Sequence, residues 1–187
     1  MSVLRAWVRR PITWVVVAAV VVAGAAVGLA LFQPWKLVVD ETVDEAAPVA
    51  AAPASPTPTA DGSAKPAPAG PTVLARGDFI THEHTTTGKV LVLRLPDGGR
   101  VLRLEDLNTS NGPDLHVWIT DAPVKEGTAG WRVFDDGRYT RLGKLKGNKG
   151  SQNYPLPASV DLAQLTSVTI WCDRFNVSFG AARLTAA

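Results

Sequence analysis

The feature that most limits what this chain can fold into is an uncharged apolar run, residues 12–32. It reads ITWVVVAAVVVAGAAVGLALF. A helix needs about 20 such residues to cross the hydrocarbon core of a bilayer. The run therefore predicts a transmembrane helix, and the lipid bilayer is the first partner that the sequence indicates.

The charges on either side of this run predict its orientation. Three arginines precede it, whereas the first charges after it are Lys36 and then a set of acidic residues that begins at Asp40. Basic residues next to a span stay in the cytoplasm. We therefore expect residues 1–11 to be cytoplasmic and the C-terminal body to lie outside the cell membrane. A cleaved signal peptide is the alternative, but its apolar region has only about 7–15 residues.

The next segment, residues 33–71, has the composition of a linker. From residue 40 it reads DETVDEAAPVAAAPASPTPTADGSAKPAPAGP, without an aromatic residue. Such a segment buries too little apolar area to offset its ordering entropy. We expect a disordered tether, and at about 3.1 Å per residue in the polyproline II conformation it would reach roughly 100 Å. It would hold the following domain clear of the lipid surface.

Residues 72–187 have the alternation and turn signals of an all-β domain. Leu91, Leu93 and Leu95 recur at a two-residue period, and Leu102 and Leu104 follow after an Asp-Gly-Gly turn. This pattern predicts a hairpin with those leucines on one buried face. Many short strands separated by turns indicate an antiparallel β-sandwich or a barrel-like domain.

Two further stretches read as strands with a buried face. In residues 115–120 the odd-numbered positions are apolar, and in residues 167–172 the even-numbered ones are, ending at Cys172. A turn at residues 173–174 would lead into a return strand whose buried face begins at Phe175.

Cys172 is the only cysteine in the sequence, so it has no partner for a disulfide within its own chain. An inward thiol among aliphatic side chains usually packs as a small hydrophobe, and its pKa is raised. Its position as the last residue before a turn also allows a sulfur at the rim of the domain. The pattern is therefore compatible with two interpretations: an inert thiol packed in the core, and a reactive or ligating sulfur.

The three histidines are candidate ligands. His82 and His84 are two residues apart, so on a strand they project from one face, and His116 or Cys172 could complete a metal site with them. An exposed edge or loop explains the same spacing. Haem is another cofactor that His or Cys could bind, but the sequence has no C-x-x-C-H motif for covalent attachment. The cofactor stays undetermined at this stage.

A basic patch lies between residues 138 and 149. It could meet an acidic partner, or it could be a solvated hairpin whose lysines protect a sheet edge. With 19 basic against 17 acidic side chains overall, nucleic-acid binding is not indicated, and no motif of a conventional hydrolase occurs. The patch consists of Arg138, Arg141, Lys144, Lys146 and Lys149.

Three stretches together resemble the DM-thirteen domain, the electron-transfer module found beside DOMON domains in Skeletor proteins. They are NGPDLHVWIT, LGKLKGNKGSQNYPLP and SVDLAQLTSVTIWCDRFNVSFGAARL, in that order. The resemblance implies an all-β domain in which Cys172 has a role in redox chemistry or electron transfer. It also matches Trp171 to the aromatic residue before the cysteine, and a turn motif to Asn111, Gly112, Pro113 and Asp114.

Two functions are therefore compatible with the sequence. The first is a membrane-anchored extracytoplasmic redox module that uses Cys172 and needs a second molecule as its redox partner, because a lone thiol has no resolving cysteine. The second is a non-catalytic surface domain that binds a protein or glycan, with Cys172 only packed.

Overall fold

The computed structural model describes residues 11–48 and 70–187. Helix α1 spans Pro11–Phe32, with no buried residue, and a short 3-10 turn follows at Pro34–Leu37. The predicted helix is confirmed, and it is long and apolar enough to cross a membrane. Residues before Pro11 and residues 49–69 of the predicted linker lie outside the described residues.

The described part of the chain after residue 70 forms one antiparallel sheet. Its strands are β1 Thr72–Thr81, β2 Thr87–Arg94, β3 Arg100–Asn108, β4 Leu115–Thr120, β5 Tyr139–Lys144, β6 Lys149–Pro155, β7 Ser167–Cys172, β8 Val177–Arg183 and β9 Thr185–Ala186. The strand order in the sheet is β5-β4-β7-β8-β1-β2-β3-β6, and the short β9 pairs with β1. The sheet curves into a nearly closed barrel, which confirms the all-β class.

The barrel interior contains the predicted inward faces of β4 and β7. In β2 the facing is the reverse of the prediction, because Val90 and Val92 are the core residues and pair with Leu104 and Leu102 of β3. Both faces of β2 are apolar, so alternation alone could not decide which of them turns inward.

A second, smaller core lies on the outside of β4, β7 and β8. It contains Trp118, Trp171 and Phe134, together with two alanines. Phe134 belongs to the long β4–β5 connection, which covers these strands from outside. Strand β4 is therefore buried on both faces rather than on one.

The antiparallel connections divide the barrel into two ends. One end, which we call the cysteine end, has the β1–β2, β3–β4, β5–β6 and β7–β8 connections; these are residues 82–86, 109–114, 145–148 and 173–176. The β2–β3 and β6–β7 connections lie at the opposite end. Cys172 and the Asn-Gly-Pro-Asp motif are thus brought to the same end of the barrel.

Residues 40–46, which we call the strap, lie along the outer edge of β6. Thr42 forms a parallel bridge with Lys149. The Val43 amide donates to the Lys149 carbonyl at 2.9 Å, and the Lys149 amide donates to the Glu41 carbonyl at 3.2 Å. The structure differs here from the predicted disordered linker, because the edge of β6 offers backbone groups that composition cannot reveal.

Candidate functional site

Cys172 ends β7, and its side chain is 0% exposed. Its neighbours across the sheet are Leu115 of β4 and Val177 of β8, which are both buried. The sulfur is therefore inaccessible to solvent in this conformation, as expected if Cys172 packs in the core.

Burial raises the pKa of the Cys172 thiol, while backbone amides of Phe175, Arg174 and Asp114 hydrogen-bond toward the sulfur and act in the opposite direction. The net shift is upward, so the thiol is protonated near neutral pH. The thiolate is the nucleophilic and metal-binding form. The same amides would stabilise a thiolate once water reached the sulfur.

The turn that covers the sulfur is longer than the sequence suggested. It includes residues 173–176, and Asn176 has a φ of 51°, a left-handed conformation that asparagine adopts more readily than most residues. Phe175 is 43% exposed; it lies in this turn rather than on the buried face of β8. The loop 173–176 is thus a short exposed cap over a buried thiol.

The Asn-Gly-Pro-Asp motif contacts this cap through the backbone. The Asp173 amide donates to the Asp114 carbonyl at 3.0 Å, while the Gly112 amide donates to Asn111 Oδ1 at 2.8 Å. A Cβ at Gly112 would lie 3.1 Å from side-chain atoms of Leu115 and Phe179. An alanine at this position would require those side chains to move by a few tenths of an ångström, so glycine suits the close packing of the motif over the barrel end.

His116 lies between two carboxylates beside the cap. Its Nε2 is 3.0 Å from Asp114 Oδ1 and 3.5 Å from Asp173 Oδ2. Burial would raise the pKa of Asp114, but hydrogen bonds from His116 and Lys144 outweigh it and lower that pKa. Arg141 pairs with Asp173 at 2.7 Å.

Among the described residues, Asp114, His116 and Asp173 are the one set with spacing that could hold a metal ion. Both carboxylates already have a basic side chain beside them, Lys144 and Arg141. A cation bound there would have to displace those partners, so the donor set fits an ion-pair network better than a metal site. Cys172 is not a member of the set.

The other two histidines lie apart from this network. His82 is buried, with Nδ1 2.7 Å from Ser178 Oγ and Nε2 3.0 Å from the Lys125 carbonyl oxygen. Burial lowers the pKa of His82. The ring of His84 packs on Phe179 with centroids 4.0 Å apart. In this conformation the described residues do not bring the three histidines together as one ligand set.

Every member of the basic patch has an acidic partner. Two of the acids, Asp40 and Glu45, belong to the strap, and hydrogen bonds from Lys149 and Lys146 lower their pKa values. The patch thus binds acidic residues of its own chain. The pairs are Arg138–Asp121, Arg141–Asp173, Lys144–Asp114, Lys146–Glu45 and Lys149–Asp40.

Trp171 projects from the face opposite Cys172, into the outer core. Its ring centroid is 5.1 Å from that of Trp118, which stacks on Tyr139 at 4.2 Å. Sequence reasoning missed this aromatic row, since the alternation marks these positions as outward but does not show which strands pair.

A crevice of about 60 Å³ lies at the Asn-Gly-Pro-Asp motif, between it and the start of the strap. Its lining includes Lys36, Glu41 and Lys144. That volume admits only a few water molecules.

In a comparison with protein families, the sequence model of the family described as electron transfer DM13 matches residues 78–184. The matched region includes Cys172, its cap and the Asn-Gly-Pro-Asp motif, whereas α1 and the strap lie outside it. Searches of curated proteins and of solved structures give no match.

Proposed function

This chain belongs to the electron transfer DM13 family, and from that premise we propose that it is a membrane-anchored extracytoplasmic redox module whose reactive group is Cys172. The apolar helix α1 supports the anchor. The family description supports redox chemistry, and Cys172 is the only thiol in the sequence.

The observation that carries the role of Cys172 is the position of its buried sulfur at the end of β7, directly before the exposed four-residue cap. With the cap closed, burial keeps the thiol protonated. When residues 173–176 open, water reaches the sulfur and the loss of the burial penalty favours the thiolate. The module is therefore a gated thiol rather than a permanently reactive one.

The chemistry proposed for the open state is thiol–disulfide exchange. The Cys172 thiolate attacks a disulfide of the redox partner; a mixed disulfide forms and the partner releases one thiolate. The released partner thiolate can attack the mixed disulfide, which restores the partner disulfide and Cys172. Net transfer of two electrons to the partner requires small-molecule or protein thiols as the reductant: the first attacks the Cys172 sulfur of the mixed disulfide, so that the Cys172–partner S–S bond breaks and the partner leaves as a dithiol. A second thiol of the same class then attacks the sulfur that the first thiol has joined to Cys172, which releases the Cys172 thiol and leaves the two external thiols as a disulfide.

The test is the alkylation rate of Cys172 in the folded full-length chain in detergent. Asn176→Ala places an alanine in a left-handed position of the cap, at a cost of about 1–2 kcal/mol. Asp106→Ala is the matched control, because Asp106 is also left-handed, with a φ of 49°, and lies in β3 away from the cap. We expect alkylation to become about 5- to 30-fold faster in the first variant only.

The opposite result is also informative. If both variants accelerate alkylation in proportion to their loss of global stability, Cys172 becomes reachable only by complete unfolding, and the gated thiol is wrong.

The second candidate function is a non-catalytic binding domain with a packed cysteine. It is favoured by the complete burial of Cys172 between Leu115 and Val177. If this second function is correct, the Cys172→Ala variant binds its protein or glycan partner as the wild type does. If the redox function is correct, the same variant no longer forms the mixed disulfide.

A further inference from the structure

We infer that the cysteine end of the barrel faces the lipid–water interface of the membrane that α1 crosses, and that the strap holds it there. This inference rests on the membrane anchoring in the proposed function. It replaces the long flexible tether expected from composition with a short, fixed connection.

The length of chain between α1 and the barrel limits their separation. Helix α1 ends at Phe32, and the barrel first holds the strap through Asn148, whose Nδ2 donates to Asp40 Oδ1 at 2.8 Å. The Glu41 amide donates back to Asn148 Oδ1 at 2.7 Å. Eight residues from Phe32 to Asp40 span at most about 28 Å when fully extended. The 3-10 turn within them shortens this reach further.

The strap enters the barrel at the cysteine end. Asn148 lies in the β5–β6 connection of that end, and the strap then runs parallel to β6 toward the opposite end. Immediately before the strap, the Val39 carbonyl accepts a hydrogen bond from Asn111 Nδ2 at 3.1 Å. The end that contains Cys172 is thus the one nearest to the end of the span.

A ring contact joins the span directly to the cap over Cys172. The rings of Phe32 and Phe175 are stacked with centroids 6.1 Å apart. Trp35, three residues after Phe32 in the chain, is about half exposed, and aromatic rings of this kind prefer the interface between lipid and water.

One basic residue of this surface, Arg174, fits the same environment. Arg174 is exposed in the cap, and no ion pair is found for it among the residues that the structure describes. Long basic side chains can lie along an apolar surface and extend their charge to the headgroups. The partner that suits Phe175, Trp35 and Arg174 together is the lipid interface itself.

The orientation has a consequence for Cys172. The cap that must open lies against the membrane surface, so a redox partner reaches the sulfur along the plane of the membrane rather than from bulk solvent.

The experiment places a fluorophore at each end of the full-length chain in phosphatidylcholine nanodiscs that contain lipid with a spin-labelled headgroup. Arg174→Cys marks the cysteine end, and Ser159→Cys in the β6–β7 connection marks the opposite end as the matched control. Both substitutions are made in a Cys172→Ala background. If the Cys172→Ala chain does not fold, the two cysteines are introduced into the wild-type chain, which is labelled under native conditions. The fluorescence from any label on Cys172 is then subtracted, as measured in a chain without an added cysteine.

We expect quenching at position 174 to exceed that at position 159 by at least threefold, and Gly147→Ala, which displaces the strap, to remove the difference. Equal quenching at both positions, in a chain that stays with the nanodisc, overturns the orientation and leaves the anchor intact. A chain that elutes separately from the nanodisc overturns the anchor, and the orientation with it.

Discussion

Gly147→Ala should release the strap and leave the barrel intact. A Cβ at Gly147 would lie 2.5 Å from the Glu41 carbonyl oxygen and 2.9 Å from Val43 Cγ2, both of which belong to the strap. The backbone of Gly147 is not in the left-handed region, so alanine adds no backbone strain. The new methyl group can be accommodated only if the strap moves away from β6.

The size of the effect follows from the bonds that this movement breaks. The strap and β6 share three backbone hydrogen bonds: Val43 to Lys149, Lys149 to Glu41, and Glu45 to Ser151. Each contributes about 0.5–1.5 kcal/mol. Their loss lowers the free energy of strap opening by about 1.5–4.5 kcal/mol, which increases the exchange rate of the strap amides about 10-fold to 10³-fold.

The assay is hydrogen–deuterium exchange of the full-length chain in detergent, with Val43 and Glu45 as reporters of the strap and β7 as reporter of the barrel. Gly70→Ala is the matched control, because a Cβ there meets no atom within 4 Å. The reasoning is refuted if strap exchange in Gly147→Ala equals that of the control, or if β7 loses protection as much as the strap does.

Three further predictions concern pH and packing. Hydrogen bonds from lysines lower the pKa values of Asp40 and Glu45, so they stabilise the docked strap above pH 4 and lose this effect as the pH falls further; exchange of strap amides that does not rise by pH 3 would contradict this. Because burial lowers the pKa of His82, the free energy of unfolding should decrease as the pH falls below about 6.5. The His82→Gln variant should show a smaller difference between urea titrations at pH 7 and pH 5, and an unchanged difference would exclude His82 as the cause. Phe134→Ala, at a fully buried ring beside Trp171, should cost about 3–5 kcal/mol in urea unfolding, and a loss below 1 kcal/mol would mean that the outer core contributes little.

The fold class could be predicted from the sequence because its signals are local. The uncharged run predicted α1, and the two-residue period predicted the inward faces of β4 and β7. The facing of β2 could not be predicted, because Val90 and Val92 alternate with leucines of similar hydrophobicity. Only pairing with Leu102 and Leu104 of β3 turns the valines inward, and pairing is a property of the whole sheet.

The site was predictable to the extent that it is made of one segment. The alternation correctly predicted that the side chain of Cys172 points into the barrel. The network around His116 joins residues more than fifty positions apart, Asp114 and Asp173, so no local pattern could reveal it. The strap was missed for a related reason: its composition is that of a linker, and it becomes ordered through partners on β6 that lie about a hundred residues further along the chain.

The strap also changes what the Ala- and Pro-rich segment does in the chain. If the barrel began at residue 72 and nothing before it made contact, that segment would set the distance from the membrane. Residues 40–46 are instead bound to β6 before most of the segment begins, so residues between Pro48 and Gly70 connect two parts that are already joined. Lengthening that segment with Gly-Ser repeats should therefore leave quenching at position 174 unchanged. Inserting the same repeats between Phe32 and Asp40 should reduce it, which separates a strap-held domain from a tethered one.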